Sequence, residues 1–211
     1  LHVDAAWAGS AMICEEFRNL WTGIEKADSI VFNPHKWLGA QFDCSVQFLK
    51  DPSIQKNTLS ISPEYLKTKG VDGIINLSDY TIQLGRRFRS LKLWFLIRSE
   101  GMSGLKKVIR NHVNWTEDFY HKINKLDKIE IVTPPILSLF TFRFVKEGVK
   151  NLDELNERIL SEINNEGTIY LTPTKVKNKY VIRFTAGTFE MEKKDVEVAY
   201  QCILEKTESL K

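Results

Sequence analysis

The sequence predicts an α/β fold in which a β-α-β unit is followed by long helices and then by a smaller α+β region. Three observations predict it. Two short apolar runs, residues 1–3 and 29–32, flank a segment with helical spacing. Helical spacing also dominates residues 88–126. After Leu126 the pattern changes to short strands interrupted by two helices, which is typical of a small α+β unit.

The first unit predicts a ligand site at one edge of its sheet. The opening strand ends at Asp4, residues 15–27 have the apolar spacing of a helix, and residues 29–32 return to strand. Residues 44–50 alternate as a further strand. Consecutive strands of a β-α-β unit are parallel, so their carboxyl ends meet at one edge, where open α/β sheets bind ligands.

Residues 51–80 are rich in Ser, Asn, Asp, Gly and Pro and have no sustained period, which predicts a long loop. Loops of this length are usually lids or mobile segments, and we expect mobility from about residue 57 to residue 79. Helices follow, with a break near Gly101–Gly104. The second helix carries an apolar stripe of Leu105, Val108, Ile109, His112, Val113, Trp115, Phe119 and Ile123.

The region after Leu126 is predicted to form its own small domain, so that the chain divides into residues 1–126 and 127–211. Asn151 is the predicted N-cap of a helix over residues 152–166, because acidic residues fill the first turn that follows it. A closing helix covers residues 192–206. The predicted strands are residues 129–133, 137–145, 168–172 and 180–186.

Composition excludes several classes of partner. Thirty basic and 27 acidic residues give a formal charge of +3 over 211 residues, too balanced for nucleic acid or an anionic membrane to be the main partner. No apolar run approaches the roughly 20 residues that cross a bilayer. The three cysteines are widely spaced and suggest neither a disulfide framework nor a metal site. We expect a cytoplasmic protein, and the missing initiator methionine suggests a fragment.

Lys36 stands out because it follows Asn-Pro-His just beyond a β-branched strand. One interpretation is a loop lysine whose stem lies on Trp37 while its ammonium reaches water. The other is a lysine that forms an imine with a carbonyl cofactor. Asp4 lies at the same predicted edge, and an aspartate that pairs with a pyridinium nitrogen accompanies such a lysine in pyridoxal phosphate enzymes.

Six motifs occur in one order along the first half of the chain: "HVDAAWAGSA", "ICEEFR", "ADSIVFNPHKWLG", "FDCS", "EYLK" and "LGRRFRSLKLWF". Together they resemble the aromatic-L-amino-acid decarboxylases, homodimeric pyridoxal phosphate enzymes of the aspartate-aminotransferase fold (fold type I). The resemblance runs from Leu1 to about Val113 and continues more weakly through "RFTAGTFE". It implies that this chain is the C-terminal half of such an enzyme, with pyridoxal 5'-phosphate as cofactor.

The resemblance implies a role for each matching residue. Lys36 matches the lysine that binds the cofactor as an imine, and Asp4 matches the partner of the pyridine nitrogen. Ala6 matches the small residue under the cofactor ring. Asn33 and His35 match residues near the cofactor phosphate, although either could be a turn residue satisfied by local hydrogen bonds.

Two further positions concern substrate and product. Tyr65 matches a tyrosine on a mobile loop that reaches the neighbouring subunit's site and protonates the substrate α-carbon; aldehyde synthases typically have phenylalanine there. Gly85 matches a position that borders the substrate pocket, where histidine decarboxylases carry serine, and it could equally be a turn glycine. The expected reaction is decarboxylation of tyrosine, DOPA or tryptophan. The alternatives are an aromatic aldehyde synthase and a non-catalytic homologue.

The chain departs from the family pattern at Trp7, where tyrosine is usual, and at Glu15, where proline is frequent. Both changes are compatible with packing or surface roles. The basic cluster Arg86, Arg87 and Arg89 could bind an anion, but ion pairing or an interface role is the preferred interpretation.

Overall fold

The computed structural model describes residues 1–61 and 75–210. It begins with a three-stranded sheet in the order β1-β2-β3, formed by β1 (His2–Asp4), β2 (Ser29–Phe32) and β3 (Val46–Leu49). β1 and β2 are parallel, and β3 is antiparallel to β2. The predicted parallel pairing of the first two strands is therefore confirmed.

The connection from β1 to β2 differs from the predicted α-helix. It consists of three short 3-10 helices, Ala8–Ile13, Glu15–Trp21 and Ile24–Lys26. Gly23, with φ +93°, ends the helical path after Trp21. The predicted apolar face consisted of Phe17, Leu20, Trp21 and Ile24. Leu20 is 50% exposed, so burial does not stabilise a continuous α-helical stripe here.

The prediction of a loop over residues 51–80 is wrong at both ends, where the structure has helical turns. Helix α1 covers Pro52–Leu59, and a 3-10 turn covers Leu77–Tyr80. The Asp51 side chain accepts a hydrogen bond from the Ser53 amide at 2.9 Å, and Pro52 occupies the first turn. These start signals favour a helix despite the polar composition. Residues 62–74, with Tyr65 among them, lie outside the described residues.

Helix α2 (Arg89–Ile123) contains the break that the sequence predicts. Gly101 has φ +67° and ψ +165°, a conformation open mainly to glycine, so α2 consists of two helical segments. Most of the predicted stripe is buried in its second segment: Leu105, Ile109, His112, Val113, Phe119 and Ile123. Val108 and Trp115 are only partly buried, and Thr116, which was not predicted, is buried.

The second sheet is antiparallel throughout, in the order β4-β5-β7-β6. Its strands are β4 (Ile129–Ile136), β5 (Leu139–Phe144), β6 (Thr172–Val176) and β7 (Lys179–Thr185). The prediction placed a strand over residues 168–172, four residues too early. Asn164 explains the shift, because its side-chain amide bonds both the amide and the carbonyl of Leu171 and so holds that residue before the strand.

Two helices accompany the second sheet, α3 (Leu152–Glu166) and α4 (Lys193–Ser209). Asn151 caps α3 as predicted, since its Oδ1 accepts a hydrogen bond from the Glu154 amide at 3.3 Å. The buried Asn156 side chain joins α3 to β5, where it bonds both the amide and the carbonyl of Phe144. Within residues 1–61 and 75–210, no helix has the length and apolar character needed to span a membrane.

The buried apolar residues form two clusters, and α2 contributes to both. The first cluster includes Trp37, Leu38 and the α2 residues Leu105, Ile109 and Val113. The second fills the space between the four-stranded sheet, α3 and α4. It contains Phe119 and Ile123 from the end of α2, together with Phe140, Phe142, Phe144, Ile159, Ile163, Ile182, Phe184 and Ile203.

The two glycines of α2 allow a matched stability test. Gly101→Ala should lower the free energy of unfolding by about 1–3 kcal/mol, because alanine is strained at the positive φ of this position. Gly104→Ala should raise it by up to about 1 kcal/mol, because this residue is helical and an added Cβ would make an ordinary contact with Glu100. Urea unfolding measures both. Equal effects of the two substitutions would contradict the break at Gly101.

Candidate active site

The ends of β1 and β2 lie side by side. Asp4 is in register with Val31, and the pairing continues beyond the strands, where the Ala5 amide donates to the Val31 carbonyl at 2.9 Å. The Asn33 amide in turn donates to the Ala6 carbonyl at 2.9 Å. The backbone therefore brings residues 4–6 and the segment that leads to Lys36 to one edge of the sheet, as the sequence predicts.

Lys36 lies in a tight turn. Its amide donates to the Asn33 carbonyl at 2.9 Å, and the Ala40 amide donates to the Pro34 carbonyl at 3.0 Å. The Lys36 side chain is exposed, whereas the next residue, Trp37, is completely buried. The turn therefore presents the lysine outward while its neighbour anchors the backbone.

Asp4 offers a carboxylate at the same edge. The side chain is exposed, and its Oδ1 accepts a hydrogen bond from the Ala6 amide at 3.0 Å. This bond orients one carboxylate oxygen. Ala6 adds only a methyl group beside the carboxylate. An oriented carboxylate, a small side chain and an outward lysine suit a planar aromatic aldehyde that contains a ring nitrogen, so this donor set fits pyridoxal phosphate.

Asn33 and His35 both bond to the segment before β3. Asn33 Oδ1 accepts from the Ser45 hydroxyl at 2.6 Å. The Nδ1 atom of His35 lies 2.6 Å from the Cys44 carbonyl oxygen and 3.0 Å from the Cys44 amide nitrogen, so it donates to one or accepts from the other according to its tautomer. These contacts fit the turn interpretation. A role for either residue near a phosphate stays a prediction.

Gly85 is exposed, and an added Cβ would meet no atom within 4 Å. Its neighbours Leu84 and Arg86 line an open cavity of about 850 Å³ that extends to Val31 and Ser45. The cavity thus joins the segment around Gly85 to β2 and to the residue that bonds Asn33. Asp4 and Lys36 are not among its lining residues.

The basic cluster divides into two kinds of residue. Arg89 donates from Nε to Asp43 Oδ2 at 2.9 Å, and this bond lowers the pKa of the Asp43 carboxyl group. Arg86 and Arg87 are exposed and line the cavity. The preferred ion-pair interpretation is therefore confirmed for Arg89.

A stack of three rings lies behind the lysine turn. Trp7 and Trp37 are stacked with ring centroids 4.3 Å apart and an interplanar angle of 5°. Trp37 Nε1 donates to His112 Nδ1 at 2.9 Å. His112 is only 1% exposed, and burial lowers the pKa of its imidazole to about 4. The sequence prediction placed His112 in the apolar stripe of α2 and did not assign it a role. An ionisable residue within an apolar stripe indicates a buried polar contact, and this signal was present in the sequence.

The stack also explains one departure from the family pattern. Trp7 has a packing role, because it covers Trp37 and its Nε1 borders Gly187. Glu15 has a surface role, since it accepts a hydrogen bond from Lys106 on α2 at 2.5 Å. The adjacent Glu16 accepts two bonds from Arg110, which lower the pKa of Glu16 to about 2.

The C-terminal "RFTAGTFE" segment reaches the lysine turn. Gly39 has φ +79°, and a side chain there would overlap the ring of Phe189. Glycine is therefore required at Gly39 both by the backbone conformation and by this close approach. The motif identified at the end of the sequence thus supports the turn that presents Lys36.

The structure resembles solved decarboxylases. The crystal structure of Oryza sativa TDC with PLP and tryptamine matches it with a TM-score of 0.93 and 35% sequence identity, over 99% of this chain and 44% of that chain. The mixed α/β architecture is thus that of the pyridoxal phosphate enzymes of fold type I.

The sequence narrows this class to one family. The pyridoxal-dependent decarboxylase conserved domain matches residues 1–145, and the chain belongs to this family. Aromatic-L-amino-acid decarboxylase of Mus musculus is 42% identical over 205 residues, which cover 96% of this chain and 42% of that protein. Phenylacetaldehyde synthase of Arabidopsis thaliana is 40% identical over 213 residues, 99% of this chain and 44% of that protein. The chain spans less than half the length of these relatives.

The buried His112 predicts a pH dependence of stability. The unfolded chain protonates this histidine near its ordinary pKa of 6.5, but the folded chain does so only near 4. The stability associated with neutral His112 is therefore complete above the first value and is lost as the pH falls toward the second. Urea unfolding between about pH 7 and about pH 4.5 should show a loss on the order of 2–3 kcal/mol from this group.

Two variants isolate the histidine contribution. In the His112→Asn variant, the free energy of unfolding should fall less as the pH is lowered, because asparagine does not titrate. His121→Asn, a change at an exposed histidine, should keep the wild-type slope. If the His112→Asn and wild-type slopes agree, His112 is not held neutral in the folded state.

Proposed function

We propose that this chain is the C-terminal part of a pyridoxal-phosphate-dependent decarboxylase that acts on an aromatic L-amino acid. The observation that carries the proposal is the juxtaposition of two backbone segments, one with Asp4 and Ala6 and the other with Lys36, at the carboxyl edge of a parallel strand pair. Family membership supports the choice of cofactor and reaction class. The products are the aromatic amine and carbon dioxide.

Each residue of the edge has a defined task. Lys36 would hold the cofactor through its aldehyde carbon and would give up this carbon to the substrate amine. Asp4 keeps the ring nitrogen protonated through one carboxylate oxygen, while the Ala6 amide orients the other. Ala6 would leave space for the ring, and Asn33 and His35 would contact the cofactor phosphate. The cofactor, when bound, accepts the electrons that remain on the substrate after carbon dioxide leaves.

The substrate and assembly are proposed on the same basis. Gly85 leaves room for a phenol, catechol or indole ring, so tyrosine, DOPA and tryptophan are preferred to histidine. The cavity beside Gly85 supports this role, because a Cβ added at this position would meet no described atom within 4 Å. The enzyme is a cytoplasmic homodimer, with the loop around Tyr65 reaching the neighbouring subunit's site. Residues 127–211 form a small C-terminal α+β domain; the second core supports this division, although it also includes Phe119 and Ile123 from α2.

An aromatic aldehyde synthase is the second candidate. The similarity to phenylacetaldehyde synthase favours it, because 99% of this chain aligns with that protein at 40% identity. Tyr65 favours the decarboxylase, since a prompt proton donor at the substrate α-carbon leads to amine, whereas delay permits reaction with oxygen. A non-catalytic homologue would be expected to lack Asp4 or Lys36, and this chain has both.

Cofactor capture tests the central proposal. The full-length protein should absorb visible light, and borohydride reduction should remove that band and leave the cofactor on the peptide that contains Lys36. Lys36→Ala should abolish the band and the label. Lys26→Ala, a change at another exposed lysine, should leave both intact. A label on any other lysine would overturn the assignment.

Tyr65→Phe separates the two reaction outcomes. The variant should still release carbon dioxide, but amine formation should fall by about 10²–10⁴-fold because the proton donor is lost. Aldehyde, ammonia and peroxide should replace the amine, and chromatography with a peroxide assay measures this partition. Tyr170→Phe, a change at an exposed tyrosine that does not line the cavity beside Gly85, provides the matched control and should leave the product unchanged. A wild-type enzyme that makes mainly aldehyde would contradict the proposed role of Tyr65.

A further inference from the structure

The residue that follows Lys36 is held by two different contacts. Trp37 is completely buried, and one face of its indole ring stacks on Trp7 at 4.3 Å between centroids. Its Nε1 donates a hydrogen bond to His112 Nδ1 at 2.9 Å. The His112 ring lies nearly parallel to the indole, at an interplanar angle of 5°. The stack limits tilting of the indole, and the hydrogen bond limits its rotation within the plane.

The same stack joins both segments of the candidate site. Trp7 follows Ala6 directly, and Trp37 follows Lys36 directly. His112 belongs to α2, which packs against these residues in the first apolar cluster. The carboxylate segment and the lysine turn are thus both connected to one buried histidine, 75 residues beyond Trp37 in the sequence.

We propose that His112 is a positioning residue for Lys36 and acts through the hydrogen bond from Trp37. The inference rests on the proposed covalent role of Lys36 and extends it to a residue that does not touch the cofactor. His112 fixes the indole, the indole fixes the backbone of the turn, and the turn directs the lysine amine toward the position of the cofactor aldehyde carbon.

A packing role alone does not account for a histidine at this position. An apolar side chain would fill the same space without the cost of burying a second polar group. The buried indole N–H, however, requires an acceptor, and an unpaired one is costly. The His112 imidazole can accept this bond only in its neutral form, which has a free nitrogen lone pair. Burial favours the neutral form, because it keeps the pKa of His112 well below its usual value.

The geometric demand on Lys36 explains why this fixation matters. Covalent bond formation requires the lysine nitrogen to approach the aldehyde carbon along a narrow path, and a displacement of about 1 Å can slow such a step by about 100-fold. Lys36 is itself exposed. Its position therefore depends on the anchored residue beside it.

The test measures how fast Lys36 captures pyridoxal phosphate in the full-length apo protein, from the visible band and from borohydride labelling. His112→Leu removes the acceptor and should slow capture by about 10-fold or more. His112→Asn places an amide oxygen near the original Nδ1 and should restore the rate to within about threefold. Ile109→Val, in the same cluster, should lower the thermal midpoint without changing the rate.

A double substitution separates positioning from stability. In Trp37→Phe/His112→Leu both hydrogen-bonding groups are absent, so the thermal midpoint should recover relative to His112→Leu, but capture should remain slow. If His112→Leu does not fold, Trp37→Phe replaces it: this variant keeps an aromatic ring against Trp7, loses the same hydrogen bond and should show the same slow capture.

The outcomes distinguish the two proposals. If the wild-type protein does not label Lys36, the proposed function fails. If wild type labels Lys36 and His112→Leu matches its rate within twofold, or if Ile109→Val is equally slow, the positioning role alone is overturned. Slow capture by His112→Leu with rescue by His112→Asn supports both.

Discussion

The burial of one indole N–H group determines how the candidate site is built. Trp37 has no contact with solvent, so its Nε1 must find a partner inside the protein, and His112 provides it. This requirement fixes the lysine turn against the second segment of α2. Because a buried unpaired donor costs about 1–3 kcal/mol, the turn and the helix cannot shift independently without losing that free energy. Lys36 is exposed, but the backbone beside it is fixed by the buried side chain of Trp37.

Near Trp37, the contacts are polar on the solvent side and aromatic on the interior side. Toward solvent, Glu15 and Glu16 pair with Lys106 and Arg110, joining the β1–β2 connection to α2. These pairs are partly exposed, and each contributes little by itself. Toward the interior, Trp37 and His112 are buried behind the sheet edge, and Trp7 is partly buried. Asp4 remains on the solvent side. Asp4 and Lys36 are thus exposed, while Trp37 and His112 behind them are buried.

Helix α2 connects the site to the remainder of the described chain. Gly101 separates its first segment from the second, which lies in the first cluster at Leu105 and extends into the second cluster at Phe119. A further link comes from the C-terminal segment, where Phe189 packs against Gly39 in the lysine turn. Residues distant in sequence, His112 and Phe189, thus contact one short turn.

The sequence by itself determined the features that depend on near neighbours: the parallel strand ends at Asp4, the cap at Asn151, the break at Gly101 and the motif residues around Lys36. Strand alternation, capping and glycine conformation act within a few residues and can be read directly. Tertiary structure alone decided the 3-10 form of the β1–β2 connection, the later start of β6 and the partner of His112. These depend on burial and on hydrogen bonds between distant segments, whose free energy exists only once the chain has packed.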